Sequence, residues 1–339
     1  MACAVALPSL SAEAARPRAD SSLADKVLAA IAPHAHRAAQ VQLEADRALE
    51  GLTDWAKEFP IQELVRRRRL ERGLTGALLV RELLTFFGAA DRAALEAVWD
   101  QRQLAFRRTA LGNGSAKAVQ TWLRLGEIDA QRIQTHSFDR ERLTTWVRAE
   151  FRQLTRLPLS NAWHIAVEQL ADVGVALVLV PEIKPLTKIN GACNWVMPDK
   201  VIVQVSSRLN RSDILWFNVL HELGHALNDA KRTIYVASED DDYRSLPKEE
   251  DAADRFAARI LGTPSAVARL SGDRTTKKQL QQVASDAQIG DHILAGALLR
   301  EDGSLYKRRK WLTGMLERFD VAEGATGGMS PVPRDAPAR

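Results

Sequence analysis

Between residues 173 and 205 the chain abandons helical periodicity, and that change limits its fold more than any other feature. Val173-Gly-Val-Ala-Leu-Val-Leu-Val180 is a β-branched apolar run stopped by Pro181, and residues 189–197 and 201–205 form two more such runs. Pro198-Asp199-Lys200 supplies the turn between the last two. Runs of this length and composition, bounded by turn residues, predict strands. Ser212 and Asp213 then start an apolar helix predicted from Ile214 to about Asn228. An extended segment at 232–237, an acidic loop at 238–242, a helix at 247–261 stopped by Gly262 and Pro264, and further helix to Phe319 complete the pattern.

Everything before residue 171 reads as helix. Leu23, Val27, Leu28 and Ile31 keep helical spacing until Pro33, where an interruption is expected, and a second helical run goes from about Arg37 to Ala56. From Trp55 to about Leu125 helical segments are punctuated by Pro60, Gly73, Gly88 and the turn Gly112-Asn113-Gly114-Ser115. Phe86, Phe87, Trp99, Phe106 and Trp122 predict a small helical core there, and helix resumes from Phe138 to Ala171. The fold class is therefore α+β, a helical front half and a back half built on a small sheet. The expected units are an Ala-rich segment 1–54, partly helical or disordered; a helical domain 55–150; an α+β domain 151–320; and a disordered Gly/Pro/Ala tail 321–339.

Length and composition agree with two compact units and tails: 339 residues, 46% hydrophobic and 27% charged. No window is apolar enough for a membrane span, and the N-terminus lacks the basic start of a secretory leader. With only Cys3 and Cys193 there is no disulfide framework, so a reducing, cytoplasmic setting is expected. The net charge of +4 is small and mixed with acids, and the run Arg66 to Arg69 reads first as a solvated helix face.

The residues that carry chemistry are His221-Glu-Leu-Gly-His225, an HExxH pentapeptide inside the predicted helix. Residues four apart share one helix face, so both imidazoles can reach one ion. Glu222 can then serve as a general base without occupying a ligand position. Two neutral imidazoles and a carboxylate suit Zn²⁺. The pentapeptide alone is a moderate signal; the downstream Lys248-Glu-Glu-Asp-Ala-Ala-Asp-Arg-Phe-Ala-Ala258 strengthens it. Acids in a first helical turn are ordinarily partners of the helix dipole. Here Glu250 is the expected third ligand, with Glu249 the alternative, because Asp254 lies four residues beyond Glu250. Asp254 is expected to hydrogen-bond the free ring nitrogen of a ligand histidine, and Ala253 and Ala257 would let the two helices approach closely.

HELGHAL together with E-D-A-A-D-R-F-A-A-R-I-L-G-T-P resembles the ImmA/IrrE family of zinc metallopeptidases, a gluzincin-like group. Residues 189–195, 201–206 and 213–217 resemble that family's strand, strand and helix-start segments in the same order. Phe59-Pro60, Phe86-Phe87-Gly88, Ala105-Phe-Arg-Arg108 and Trp122-Leu-Arg-Leu-Gly-Glu127 resemble members with an N-terminal helix-turn-helix regulator. The likeness runs from about residue 50 to 320. It implies a gluzincin-like domain with an active-site HExxH helix, ligands at His221, His225 and Glu250, and a general base at Glu222. It also implies cleavage of a protein substrate, a helix-turn-helix transcriptional repressor, in a stress or mobile-element response. The first fifty residues contain no helix-turn-helix pattern, so specific DNA binding is not expected.

Two other readings compete: a non-catalytic regulator or antitoxin-like protein that uses the fold for binding or sensing, and a metal-dependent hydrolase of another substrate. An intact Glu222 speaks for catalysis. A peptide substrate could add as a strand along 189–197 or 201–205. His34, His36, His136, His164 and His292 lack ligand spacing and read as structural or surface residues, and Cys193 as a packed side chain. By the resemblance the strand carrying Trp195 borders the cleft, and an oxyanion role for Tyr235 or Tyr243 stays open.

Overall fold

A computed structural model describes residues 21–103, 113–183, 189–197, 199–228, 235–238, 247–270, 274–323 and 328–334. Phe106, Tyr243 and the acidic loop beyond Ser238 lie outside these residues. The chain is mixed α and β. Its helical front comprises α1 (Ser21–Glu50), α2 (Thr53–Lys57), α3 (Ile61–Arg66), α4 (Gly76–Phe87), α5 (Arg92–Gln103) and α6 (Asn113–Ala130). Helices α7 (Arg140–Ala149), α8 (Phe151–Leu154) and α9 (Leu159–Ala171) lead into β1 (Val175–Leu179), β2 (Ile189–Met197) and β3 (Lys200–Val205). Then come α10 (Ser212–Asn228), β4 (Tyr235–Ser238) and α11 (Pro247–Leu261). The chain continues through α12 (Thr263–Ala268), α13 (Lys277–Asp286), α14 (Asp291–Glu301), α15 (Leu305–Arg308) and α16 (Lys310–Thr313) to β5 (Phe319–Glu323) and β6 (Met329–Pro333).

The strands form one sheet in the order β4-β2-β3-β1-β6-β5. β1 and β3 are parallel and pair Val175 with Val201 through Leu179 with Val205, while β2 is antiparallel to β3 and to β4. β1 is buried along its whole length, which explains its unbroken apolar run: alternate residues serve opposite faces and both faces are covered. Val175, Leu177, Leu179, Cys193, Val201, Val203 and Val205 join a core with α7 to α14. Ala176, Val178, Ile189, Ala192 and Ile202 join the other core with α2 to α6. The front helices thus close one face of the sheet. The expected boundary at residue 150 does not separate two cores, because both rest on the same strands.

Side-chain to backbone bonds fix that front layer. Trp122 Nε1 donates to Val180 O at 2.9 Å, and buried Gln204 donates to Trp122 O at 2.8 Å. Part of the arginine run does similar duty. Arg67 is paired with Glu63 and donates to Pro181 O at 2.7 Å, while Arg69 reaches Asp129 at 2.7 Å. Arg67 and Arg69 therefore hold helices to the sheet, and the expectation of a wholly solvated arginine face is not met.

Two further expectations are overturned. Helix α1 runs through Pro33 without a break, at the loss of the main-chain hydrogen bond that a proline nitrogen cannot give. Its residues 31–45 are exposed, and it is tied down near its end, where Arg81 pairs with Asp46 and Ala77 N–H donates to Glu50 at 2.8 Å. The tail beyond 320 is not disordered throughout: β5 and β6 form a hairpin at the sheet's end, anchored by buried Phe319. β6 meets β1 at Leu179 and Met329. Pro331 and Pro333, further along β6, have no N–H to donate to a neighbouring strand. Among the described residues no helix is long and apolar enough to cross a membrane.

Candidate metal centre

Helix α10 is buried on nearly every side, pressed against β2 and β3 and crossed by α11. The crossing is close because small residues meet there: a Cβ on Gly224 would lie 3.3 Å from Ala253 Cα, and both Ala253 and Ala257 are fully buried. That approach brings His221, His225 and Glu250 together, with one ligand atom from each within 4.8 Å of the others. His221 Nε2 lies 3.1 Å from His225 Nε2 and 3.1 Å from Glu250 Oε2, and His225 Nε2 lies 3.3 Å from Glu250 Oε1. Donors bound tetrahedrally at the usual zinc distances stand about 3.3 Å apart. The triangle is therefore sized for one small divalent cation. Glu249, the alternative ligand, is not part of the convergent group.

Asp254 comes within 2.8 Å of His221 Nδ1. In the tautomer with the proton on Nδ1, that N–H donates to the carboxylate and the Nε2 lone pair faces His225 and Glu250. The electrostatics follow from this close packing of imidazoles and carboxylates. At His221 burial disfavours the imidazolium, but the hydrogen bonds to Asp254 and Glu250 and the nearby carboxylates outweigh it and push the pKa up to about 10. Burial works to raise Glu250 as well, yet its hydrogen bonds to both histidines hold it well below the carboxylate range.

Glu222 is completely buried, and among the described residues neither carboxylate oxygen has a hydrogen-bond partner. Burial, with Glu250 and Asp254 adding to it and His221 opposing, pushes its pKa up to about 8. Its place against the sheet depends on Gly191 of β2, where a Cβ would collide with Glu222 Oε1 and stand 2.9 Å from Cδ. Sequence reasoning gave Gly191 no role. Only the register of β2 over α10 reveals it.

A second feature went unread. Arg211 forms a buried two-pronged pair with Asp213 at 3.0 and 2.6 Å and donates to Tyr306 Oη at 2.5 Å. Asp213, read as a helix-start residue, also ties α10 to the C-terminal helices. Residues 189–197 and 201–205 do not offer a sheet edge, because β2 lies between β4 and β3, and β3 between β2 and β1. The outer strand on the side of the His221–His225–Glu250 group is β4. Trp195 packs edge-on against Phe138 at 4.9 Å, Cys193 is buried in the core, and His292 is packed near Glu317. The side chain of Tyr235 lies outside what the structure describes.

Comparison with protein-family models and with curated proteins finds no match to this chain.

Proposed function

We propose that this chain is a zinc-dependent endopeptidase of the ImmA/IrrE kind, with a gluzincin-like fold, that hydrolyses a peptide bond of a protein substrate. The observation that carries the reading is the pairing of two things where α10 and α11 cross. Three ligand atoms converge at tetrahedral spacing, and a buried carboxylate with no hydrogen-bond partner among the described residues lies within their electrostatic reach. A purely structural metal site has use for the first and none for the second.

His221, His225 and Glu250 would hold the ion, which supplies Lewis acidity toward water and the scissile carbonyl. Glu222 accepts the proton of the attacking water at a carboxylate oxygen and passes it to the leaving amine. Gly191 lets the β2 backbone back that carboxylate closely, so the base has little room to swing. Asp254 keeps His221 in the tautomer that directs Nε2 inward. An extended substrate would reach the site along β4. By the resemblance, the substrate is a helix-turn-helix repressor in the cytoplasm.

The test is Glu222→Gln, which keeps side-chain shape and ligands while removing the base. We expect unchanged zinc content and unchanged binding of the cognate repressor, with cleavage slowed by about a hundredfold or more. Equal cleavage by wild type and variant, read by mass spectrometry of the products, would remove Glu222 from the mechanism. Zinc-loaded wild type that binds the repressor but leaves it intact would favour the non-catalytic regulator.

A further inference from the structure

Helices α10 and α14 meet one turn at a time. A Cβ on Gly296 would lie 2.9 Å from Asp213 Cβ. One turn further along α14, Arg300 lays its guanidinium over the Phe217 ring, with Cζ 4.1 Å from the centroid. One turn further along α10 is His221. Asp213, Phe217 and His221 thus occupy one stripe at i, i+4 and i+8, and Arg300 stacks on the residue one helical turn before His221, within electrostatic reach of Asp254.

Arg300 is exposed, and among the described residues it forms neither a hydrogen bond nor an ion pair. The acids in its electrostatic reach are Asp213 and Asp254. Both are already engaged: Asp213 is gripped by Arg211 at 2.6 Å, and Asp254 is bonded to His221 Nδ1 at 2.8 Å. Arg211, by contrast, is buried and has its donors committed to Asp213 and Tyr306. Stacking on an aromatic ring fixes a guanidinium in orientation while leaving its fork of N–H donors open, and that fork matches a carboxylate.

We infer that Arg300, seated on Phe217, forms an anion-recognising subsite beside the His221–His225–Glu250 cluster and selects substrates with a Glu or Asp side chain close to the scissile bond. The inference rests on the peptidase reading and adds a substrate class to it. A basic side chain at the same place would be repelled by the unpaired guanidinium.

The experiment uses the full chain loaded with zinc and short peptide hydroxamates, which need no knowledge of the natural substrate. The probes carry Glu, Gln or Lys at the first or second position from the hydroxamate, and dissociation constants are measured at low and physiological salt. At one of the two positions the Glu probe should bind about five- to tenfold more tightly than its Gln counterpart, and the Lys probe most weakly. The preference should shrink with salt. Arg300→Gln should keep its zinc and its affinity for the Gln probe while losing the preference for Glu, and Arg300→Lys should retain part of it. Equal binding of Glu and Gln probes by wild type at both positions, or a Glu preference that survives in Arg300→Gln, overturns the subsite and leaves the metal site standing. Failure of zinc-loaded wild type to bind any hydroxamate overturns both readings.

Discussion

The ligand triangle makes a quantitative prediction about stability. A ligand that binds the folded chain and not the unfolded one stabilises it by RT ln(1 + [L]/Kd), about 4 kcal/mol when free zinc stands at a thousand times Kd. Unfolding entropy near the midpoint is about 2.1 cal/mol/K per residue, hence about 0.7 kcal/mol/K for a chain of 339 residues. Zinc at that level should therefore raise Tm by about 6 °C. Glu250→Gln keeps the side-chain volume but replaces the carboxylate that stands 3.1 and 3.3 Å from the two imidazoles. It should abolish most of the increment and drop the metal content well below one ion per chain. Asp254→Asn touches only the outer bond to His221 Nδ1 and should weaken zinc by about ten- to a hundredfold. At fixed free zinc that loses about 1.4 to 2.7 kcal/mol of the gain, or about 2 to 4 °C. Glu249→Gln should behave as wild type. Differential scanning calorimetry with and without zinc, alongside elemental analysis, reads all four proteins. A full Tm increment and full occupancy in Glu250→Gln would refute the ligand assignment.

The remaining predictions concern the scaffold and the surface. Gly191→Ala should retain zinc and secondary structure but cut peptidase turnover by at least about tenfold, since its Cβ displaces the Glu222 carboxylate; activity at wild-type level with full zinc would remove Gly191 from its positioning role. At Glu63 burial raises the pKa, but hydrogen bonds and charge from Arg66 and Arg67 outweigh it and hold the carboxyl below its usual value. The stability it contributes is therefore complete above the unfolded value of about 4.3 and lost as pH falls through the folded value. Glu63→Gln should destabilise the protein by about 1 kcal/mol or more at pH 7, mainly by stranding buried Arg67, and urea melts of the two proteins should converge as pH falls through the lowered folded value. A fragment starting at residue 151 should be insoluble or molten, because it bares the sheet face formed by Ala176, Val178, Ala192 and Ile202; a cooperative melt of that fragment would contradict the shared-sheet architecture. Binding to duplex DNA should be weak, indifferent to sequence and steeply salt-dependent, because Arg67 and Arg69 are committed internally; selective binding at physiological salt in a titration would overturn this.

The elements near the site were legible in the sequence because their signals are local. The apolar run at 173–180, the Ser212-Asp213 start and the i, i+4 spacings of His221 with His225 and of Glu250 with Asp254 each depend on a few neighbouring residues. What escaped depends on packing between distant segments. Gly191 is one glycine among 19 until β2 is laid over α10. Arg300 is an ordinary helical arginine until α14 is set beside Phe217. The tail was misread because its Gly and Pro content hides an alternation that becomes useful only when Phe319 finds a core and the hairpin finds β1. The domain boundary was misplaced for a related reason. The helical pattern continues unchanged across residue 150 to residue 171, and the buried faces of β1 and β3 require cover on both sides, with the front helices providing one of the two layers.

Glu222 is the residue whose presence the fold explains least and the proposed chemistry explains most. A buried carboxyl without a hydrogen-bond partner costs about 1–3 kcal/mol, and here both oxygens lack one among the described residues while the side chain is fully enclosed. The sheet has no stabilising use for it. With no cation present, the raised pKa already leaves Glu222 largely protonated at neutral pH, and Gln is neutral with nearly the same volume, so Glu222→Gln should leave the metal-free protein about as stable as wild type. A base that must take a proton beside a divalent cation, by contrast, gains from the same enclosure, because the cation's field restores the carboxylate form and few water dipoles screen the two from each other. The variant should therefore lose activity without losing stability. If Glu222→Gln instead unfolds more easily than wild type in the absence of metal, by chemical denaturation at neutral pH, the carboxyl is holding the fold together and its assignment as a base loses its principal support.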